Sequence, residues 1–238
     1  MKKTMKSNLL LLCALFANIA FLCGAEPAAP AKEAAKPAAA KVEWTSLFDG
    51  KTLKNWKIPN FGTQGEVEAK DGAIQLAFGD GCTGVTLEKD VAFPTDGYEI
   101  ELSAMRVEGN DFFCGVTFPV VKTSCTFVIG GWGGTVVGLS NINGQDAANN
   151  DTATFMEFKT KQWYKIRVRV IPERITTWID DKEINDVDIR KLEIDVRPEV
   201  ELSKPLGITA WKTTASIKDI KYRKLSDAEK KSALPKDE

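Results

Sequence analysis

Histidine is absent from the 238-residue chain. An imidazole therefore cannot act as a general base, and a metal site cannot use a histidine ligand. Any acid–base chemistry falls to aspartate, glutamate, lysine, tyrosine and arginine. No Cys-x-x-Cys pair occurs either, so the usual framework of a structural zinc site is missing. We therefore predict no metal and no cofactor.

An excess of charge is also missing, because 32 basic residues stand against 33 acidic ones. The two signs are interspersed, so the sequence predicts no basic patch for nucleic acid or for an anionic membrane. After the N-terminal segment, no apolar run approaches the ~20 residues that a membrane-spanning helix needs. The composition thus predicts no nucleic-acid partner and no membrane span.

The N-terminal segment has the pattern of a secretory signal peptide over residues 1–25. Lysines precede an apolar run over residues 9–22, which ends in the small residues Cys23, Gly24 and Ala25. Cleavage after Ala25 fits this pattern. Lipoprotein processing at Cys23 is the alternative, although the leucine before it is larger than that processing requires. We expect a secreted or periplasmic protein.

Composition divides the rest of the chain into three parts. Residues 26–41 are almost wholly Ala, Pro, Lys and Glu, which predicts a linker without a core. Residues 226–238 are charged and predict a frayed helical turn or a disordered tail. Residues 42–225 are enough for one domain with its own core.

Apolar residues in this domain recur with a period of two, which is typical of half-buried strands. The segment YEIELSA over residues 98–104 and the segment YKIRVRV over residues 164–170 show the alternation most clearly. Short strands separated by Gly, Pro, Asn and Asp predict an all-β fold. We expect an antiparallel two-sheet β-sandwich, most simply a concanavalin-like jelly roll.

Three cysteines remain after the signal peptide. Cys114 and Cys125 flank a predicted hairpin, so they can form a disulfide, or each can be a small buried apolar group. Cys82 is then unpaired. The loop over residues 141–151, NINGQDAANND, is rich in oxygen ligands. It fits no defined calcium loop, so a plain polar turn and a calcium site both stay open.

The segment WTSLFDGKTLKNW over residues 44–56 resembles the opening of the 3-keto-disaccharide hydrolase domain family. Four later segments follow in the same order as in that family: VEAKDGAIQL, DGYEIELSAMRVEGNDFFCGVTF, KQWYKIRVRVIPERITTWIDDKEI and KPLGITAWKTTASIKDIKYRKL. The resemblance implies a concanavalin-like or laminin-G-like jelly roll that is commonly exported. It also implies cleavage of 3-keto-glycosides by elimination and hydration.

Two segments depart from the family pattern. Many members carry an Asn-Ser-Gly segment before a polar, Arg-bearing strand, whereas this chain has NDFFCG over residues 110–115. The run GGWGG over residues 130–134 is also unusual. The chain is therefore expected to be a divergent member.

Four residues are candidate catalytic groups for such an elimination, which needs a base near C2 and a partner for the developing enolate. Glu99 and Glu101 lie two apart on one predicted strand and so point to the same side. Asp111 and Arg106 bracket a turn beside that strand. The alternatives are a solvated outer strand face for the glutamates, and turn formation for the other pair.

Four further residues are candidate substrate-binding groups. Trp132 stands alone among glycines, so a sugar ring can approach and stack on its indole. Trp178 and Trp211 lie opposite their apolar neighbours on predicted strands and are expected to line the same concave surface. Asn110 precedes Asp111 in the candidate turn. A core position for Trp132, at a bend of a sheet, is the alternative.

Three functions are compatible with these residues, with carbohydrate as the expected partner of the first two. The first is an enzyme acting on 3-keto-glycosides, the second is a noncatalytic carbohydrate-binding or adhesion module, and the third is a structural envelope domain. The sequence leaves the choice open.

Overall fold

The structure, a computed structural model, describes residues 42–235. The predicted signal peptide and linker, and the last three residues, lie outside the described residues. The strands are β1 Thr45–Ser46, β2 Trp56–Lys57, β3 Val67–Lys70, β4 Ala73–Leu76, β5 Cys82–Leu87, β6 Tyr98–Gly109, β7 Cys114–Val120, β8 Thr123–Gly131, β9 Val136–Ser140, β10 Thr154–Phe155, β11 Trp163–Ile171, β12 Arg174–Ile179, β13 Lys182–Asp188, β14 Gly207–Trp211 and β15 Thr213–Lys224. A 3-10 helix spans Pro198–Ser203 and α1 spans Asp227–Ser232. In this part of the chain, no helix is long and apolar enough to cross a membrane.

These strands form two antiparallel sheets. The eight-stranded sheet has the order β13-β12-β11-β6-β15-β4-β3, with β1 paired to β15. The seven-stranded sheet has the order β10-β9-β8-β7-β14-β5-β2. Neighbours in space are often distant in sequence, as in a jelly roll. The predicted antiparallel two-sheet sandwich is confirmed.

One hydrophobic core lies between the two sheets. From β6, Ile100 and Leu102 enter it and are each 1% exposed. From β7 and β8 in the other sheet, Val116, Phe118 and Phe127 enter the same core and are fully buried. Each such side chain contributes about 1.5–3 kcal/mol by leaving water. The alternating pattern of the sequence therefore identifies the inner faces correctly.

The cysteines of the domain are buried free thiols. Cys114 lies opposite Ile129 across the hairpin, and Cys125 lies opposite Phe118. A bridge between Cys114 and Cys125 is therefore not formed, and the apolar alternative describes them. Burial raises the pKa of Cys125 to about 12, so this thiol is unreactive at neutral pH.

The asparagine-rich loop uses its oxygens for its own hydrogen bonds. Asp146 Oδ1 accepts from Ala148 N at 3.1 Å and from Asn149 Nδ2 at 2.8 Å. Asn150 Oδ1 accepts from both the backbone N and the hydroxyl of Thr152. Among residues 42–235, no group of three or more His, Cys, Asp or Glu side chains is placed to hold a metal. These hydrogen bonds are those of the predicted polar turn.

The C-terminal residues pack against the domain. Ser226 caps α1 in a capping box with Glu229, and Arg223 Nη1 lies 2.7 Å from Glu229 Oε1. Ala233 is buried with Ile171 and Leu225. This part of the chain forms the helical turn, and its described residues are docked rather than disordered.

Candidate functional site

A cavity of about 160 Å³ opens on the outer face of the seven-stranded sheet, near the ends of β8 and β14. Cavities of about 150 Å³ can hold a benzene ring. The walls are Asp111, Phe112, Thr126, Val128, Trp132, Ser140, Arg197, Glu199, Val200 and Trp211. Aromatic rings and a few convergent polar groups are typical of small-ligand sites.

Three aromatic side chains, those of Phe112, Trp132 and Trp211, line this cavity. Phe112 and Trp211 are stacked, with ring centroids 6.5 Å apart and an interplanar angle of 28°. Trp132 stands at the rim and is 42% exposed. It is the more accessible indole, so it is the better placed to meet an entering ring. The core alternative for Trp132 is thereby ruled out.

The glycine run explains why Trp132 points outward. Trp132 has φ +47° and Gly133 has φ +87°, so the chain turns in the left-handed region there. Gly130, at φ +76°, lies so close to Arg106 that a Cβ would be 2.5 Å from its Nη2. The glycines thus allow both a tight turn and the close approach of a buried guanidinium.

Arg106 lies behind the cavity wall. Its Nη2 donates to the carbonyl oxygens of Asp111, Gly130 and Gly134 at 3.3, 3.1 and 2.9 Å. Its guanidinium carbon lies 5.1 Å from the ring centroid of Phe113, and the residue is only 6% exposed. The structure therefore places Arg106 as a support for the Trp132 loop, not as a group that faces the cavity.

Asp111 is a carboxylate on the cavity surface. Its Oδ1 accepts from Phe112 N at 2.7 Å and from Trp132 N at 3.2 Å. Burial raises the pKa of Asp111, although these backbone N–H groups and the charge of Arg106 act in the opposite direction. The side chain is thus fixed in orientation and is more basic than an ordinary aspartate. Asn110 is exposed in the same turn and does not line the cavity.

Among the cavity residues that the sequence did not identify, two are charged, Arg197 and Glu199. Arg197 Nη1 lies 2.7 Å from Asp146 Oδ2, and its Nη2 lies 2.8 Å from Glu199 Oε1. Hydrogen bonding to Glu199 raises the pKa of Arg197, and the same contact lowers the pKa of Glu199. Both groups are therefore charged at neutral pH. Only the charged sequence Arg-Pro-Glu signals them, and it does not show which sheet they cover.

Glu99 lies on the outer face of the other sheet. It is 1% exposed, with Arg169 Nη2 2.7 Å from its Oε1 and Arg223 Nη2 2.6 Å from its Oε2. Arg167 Nη1 is the third neighbour, at 3.7 Å. Because guanidinium groups surround this carboxylate, it has no open side for a substrate.

Glu101 and Trp178 lie on that same outer face. Glu101 bridges Lys165 at 3.3 Å and Lys221 at 2.9 Å. Trp178 is 8% exposed, with the guanidinium carbon of Arg167 4.1 Å from its ring centroid. The prediction that Trp178 lines one surface with the other two indoles is wrong, because β12 belongs to the eight-stranded sheet.

The structure thus divides the predicted site residues between two faces. Asp111, Trp132 and Trp211 come together at the cavity, with Arg106 behind them. Glu99, Glu101 and Trp178 lie on the opposite side of the sandwich.

Comparison with known families gives one match. The model of the 3-keto-alpha-glucoside-1,2-lyase-like domain matches residues 43–223. No curated protein gives a significant match.

Solved structures with a similar fold act on or bind carbohydrate by their descriptions. A glycosyl hydrolase candidate from Parabacteroides distasonis has 14% identity and a TM-score of 0.50, over 77% of this chain and 94% of that one. The apo Crh5 transglycosylase has 10% identity and a TM-score of 0.51, over 79% and 86%. A carbohydrate-binding module, CBM66 from Bacillus subtilis, has 14% identity and a TM-score of 0.47, over 71% and 95%. At such identities the likeness shows the fold alone.

Proposed function

Because the chain belongs to the 3-keto-alpha-glucoside-1,2-lyase-like domain family, we propose that it cleaves 3-keto-α-glucosides in the cavity beside Trp132 and Trp211. The family and the jelly-roll fold make the chain a carbohydrate-related domain. The assignment of the reaction to this cavity rests on the residues that line it.

The chemistry begins at the ketone. A carbonyl at C3 acidifies the C2 proton, so a base can remove that proton and the C1–O bond can then break. This elimination releases the aglycone as an alcohol and leaves a C1–C2 double bond. Water adds across that bond, with hydroxide at C1 and a proton at C2, to give the free 3-keto sugar. The step needs no oxidant or reductant.

Asp111 is the proposed base. The observation that carries this role is a carboxylate held in one orientation by Trp132 N, on the surface of an aromatic cavity, with its pKa raised by burial. A raised pKa strengthens the ionised form as a base, and the proton it takes can pass to the departing oxygen. The rate should therefore rise with pH through the pKa of Asp111.

Arg197 is the proposed partner of the enolate. It lines the cavity and stays protonated beside Glu199. A fixed cation near O3 would stabilise negative charge that develops there. Glu199 lies on the same wall and holds the guanidinium in place.

Release of p-nitrophenol from p-nitrophenyl 3-keto-α-glucoside tests this proposal. We expect activity in the wild-type protein and a loss of about 100-fold or more in Asp111→Asn, because general bases contribute that much. Glu101→Gln is the matched control, since it makes the same chemical change on the opposite sheet. Loss of activity in Glu101→Gln, with activity retained in Asp111→Asn, would contradict the assignment.

A noncatalytic carbohydrate-binding module is the second candidate. It is favoured by the hydrogen bonds that Asp111 accepts from the backbone of its own turn, which also suit a purely structural role. Sugar-dependent quenching of tryptophan fluorescence without any release of p-nitrophenol would establish this function instead.

We also propose that the domain acts outside the cytoplasm, in the periplasm or the medium. The support is the charge and apolar pattern of residues 1–25. N-terminal sequencing of the protein recovered from cells would test this. A mature chain beginning after Ala25 agrees with export, and an intact N-terminus on a cytoplasmic protein contradicts it.

A further inference from the structure

The outer face of the seven-stranded sheet carries small hydroxyl side chains, and other segments of the chain cover it. Thr86, Thr117, Thr126, Ser140 and Thr209 point away from the core, yet each is at most 2% exposed. The hydroxyl groups of Thr117 and Thr126 lie 2.9 Å apart. A strand face that meets water normally carries exposed polar side chains. Here another part of the chain lies on top.

Two segments form this cover. The first is residues 193–203, which include the 3-10 helix, and Thr86 Oγ1 donates to its Leu202 carbonyl at 2.9 Å. The second is the loop over residues 141–152. The two are joined by the backbone, because Asn143 N donates to the Glu193 carbonyl at 2.8 Å.

The backbone of the cover packs directly against the backbone of the sheet. A Cβ on Gly207 would be 2.6 Å from the carbonyl oxygen of Ser203, and a Cβ on Gly138 would be 2.9 Å from that of Ala147. A polysaccharide chain therefore has no room to lie along this face. The cavity at one end is the opening that the described residues leave beside Trp132.

Arg197 fastens the two segments at the mouth of the cavity. Its guanidinium binds Asp146 of the loop and Glu199 of the helical segment. It also lies 6.0 Å from the ring centroid of Trp132 at the rim. Without this side chain, the loop and the helical segment would lose their charged connection at the point where a ligand enters.

From this geometry we infer that the site is selective for chain ends: it takes one terminal α-glucosyl ring and excludes internal rings, with Arg197 as the determinant. The α-glucosyl class rests on the proposed function. The exclusion of internal rings rests on the cover and on a cavity of about 160 Å³.

Maltohexaose and α-cyclodextrin distinguish binding of a terminal ring from binding of internal rings. They contain the same number of α-linked glucose units, but only maltohexaose has ends. Tryptophan fluorescence of the full chain would report binding. We expect maltohexaose to bind at least about tenfold more tightly than α-cyclodextrin. Equal binding of both sugars, or binding of neither, would overturn the inference.

Variants test the role of Arg197. Arg197→Ala should bring the two affinities within about threefold of each other, whereas Arg197→Lys should keep part of the preference. Lys204→Ala is the matched control, since Lys204 is also held by two carboxylates beside the cover. An unchanged preference in a folded Arg197→Ala protein would remove Arg197 as the determinant. Binding of maltohexaose without cleavage of the keto-glucoside would disprove the proposed reaction and leave the end-selectivity standing.

Discussion

The outer face of the eight-stranded sheet carries charged side chains paired with one another, whereas that of the seven-stranded sheet carries small hydroxyl side chains beneath a cover. On the first face, Glu99 pairs in register with Arg169 on one side and with Arg223 on the other. On the second, Asp111 lies at a cavity and accepts hydrogen bonds from backbone groups. Carboxylates thus occur on both faces, in different environments.

The difference between the two faces indicates which carboxylate of the β-sandwich can act as a reactive group. The eight-stranded face has wider depressions, of about 470 and 650 Å³. Glu101 lines the first depression, but it bridges Lys165 and Lys221. Glu99 lines neither depression and is enclosed by guanidinium groups. Asp111 instead combines burial, fixed orientation and an open cavity, which together make a reactive group. Neutralisation, not cavity size, separates the two faces.

Removal of the buried charge on the eight-stranded face should have the largest effect on stability. Glu99→Gln removes the carboxylate that Arg169 and Arg223 share, although Arg223 keeps Glu229, so we expect a loss of about 3–5 kcal/mol in the free energy of unfolding. Urea denaturation measures it. Glu101→Gln, in a more exposed pair, should lose about 1 kcal/mol or less. Similar losses in both variants would remove the distinction between these glutamates.

A change within the Trp132 loop tests the other face. Gly130→Ala forces a Cβ against Arg106 and also strains a left-handed residue, so we expect a loss of about 2–3 kcal/mol together with weaker sugar binding. Gly133→Ala is the control, because its φ is also positive but a Cβ there meets nothing within 4 Å. It should lose only about 1 kcal/mol. If the two alanines cost the same, Arg106 does not support the loop.

The indoles of the two faces can be compared directly. Trp132→Ala should weaken sugar binding by about 10-fold or more with little change in melting temperature, since the side chain is 42% exposed. Trp178→Ala should lower the melting temperature and leave sugar binding nearly unchanged, because this indole is 8% exposed and packs beneath Arg167. Fluorescence titration and thermal melting provide the two measurements. Sugar binding lost only in Trp178→Ala would move the site to the eight-stranded sheet.

The smallest expected effect on stability comes from the titration of Glu229. Burial opposes ionisation, but hydrogen bonds from Ser226 and Arg223 outweigh it and lower the pKa of Glu229 to about 2. A lowered folded-state pKa gives stability above the usual value of 4.5, and that stability is lost as the pH falls toward 2. Because Glu229 is partly exposed, we expect about 1 kcal/mol or less. Glu229→Gln should flatten this part of the stability curve, and an unchanged curve would show that the pair is weak.

The pKa shift of Asp111 has the opposite sign to that of Glu229, and so does its effect on stability. Its raised pKa means that the folded protein holds a proton which the unfolded chain releases, so its contribution to stability falls as the pH rises through that pKa. Asp111→Asn removes this dependence. The proposed base is thus also a small source of instability, as is common at functional sites.

The sequence predicts the sandwich because period-two alternation is a local property of each strand. In β6, Tyr98, Ile100 and Leu102 are buried as expected. The same local pattern cannot predict which outer face a distant segment covers. Arg197 reaches Asp146, 51 positions away, and this contact depends on the full sheet topology.

The sequence therefore predicts only part of the candidate site. Trp132 and Asp111 stood out because glycines and a turn surround them, and these are short-range signals. Glu99 and Glu101 stood out for their spacing, which says nothing of the arginines and lysines on neighbouring strands. Only the pairing register, with Glu99 opposite Arg169 and Glu101 opposite Lys221, brings those cations alongside.

A crystal structure of Asp111→Asn soaked with methyl 3-keto-α-glucoside would test the central claim most directly, since the slowed variant should retain the intact glucoside. We predict one sugar ring between Trp132 and Trp211, with C2 facing residue 111 and the aglycone directed out of the cavity. A sugar bound on the outer face of the eight-stranded sheet, beside Glu101, would contradict the account.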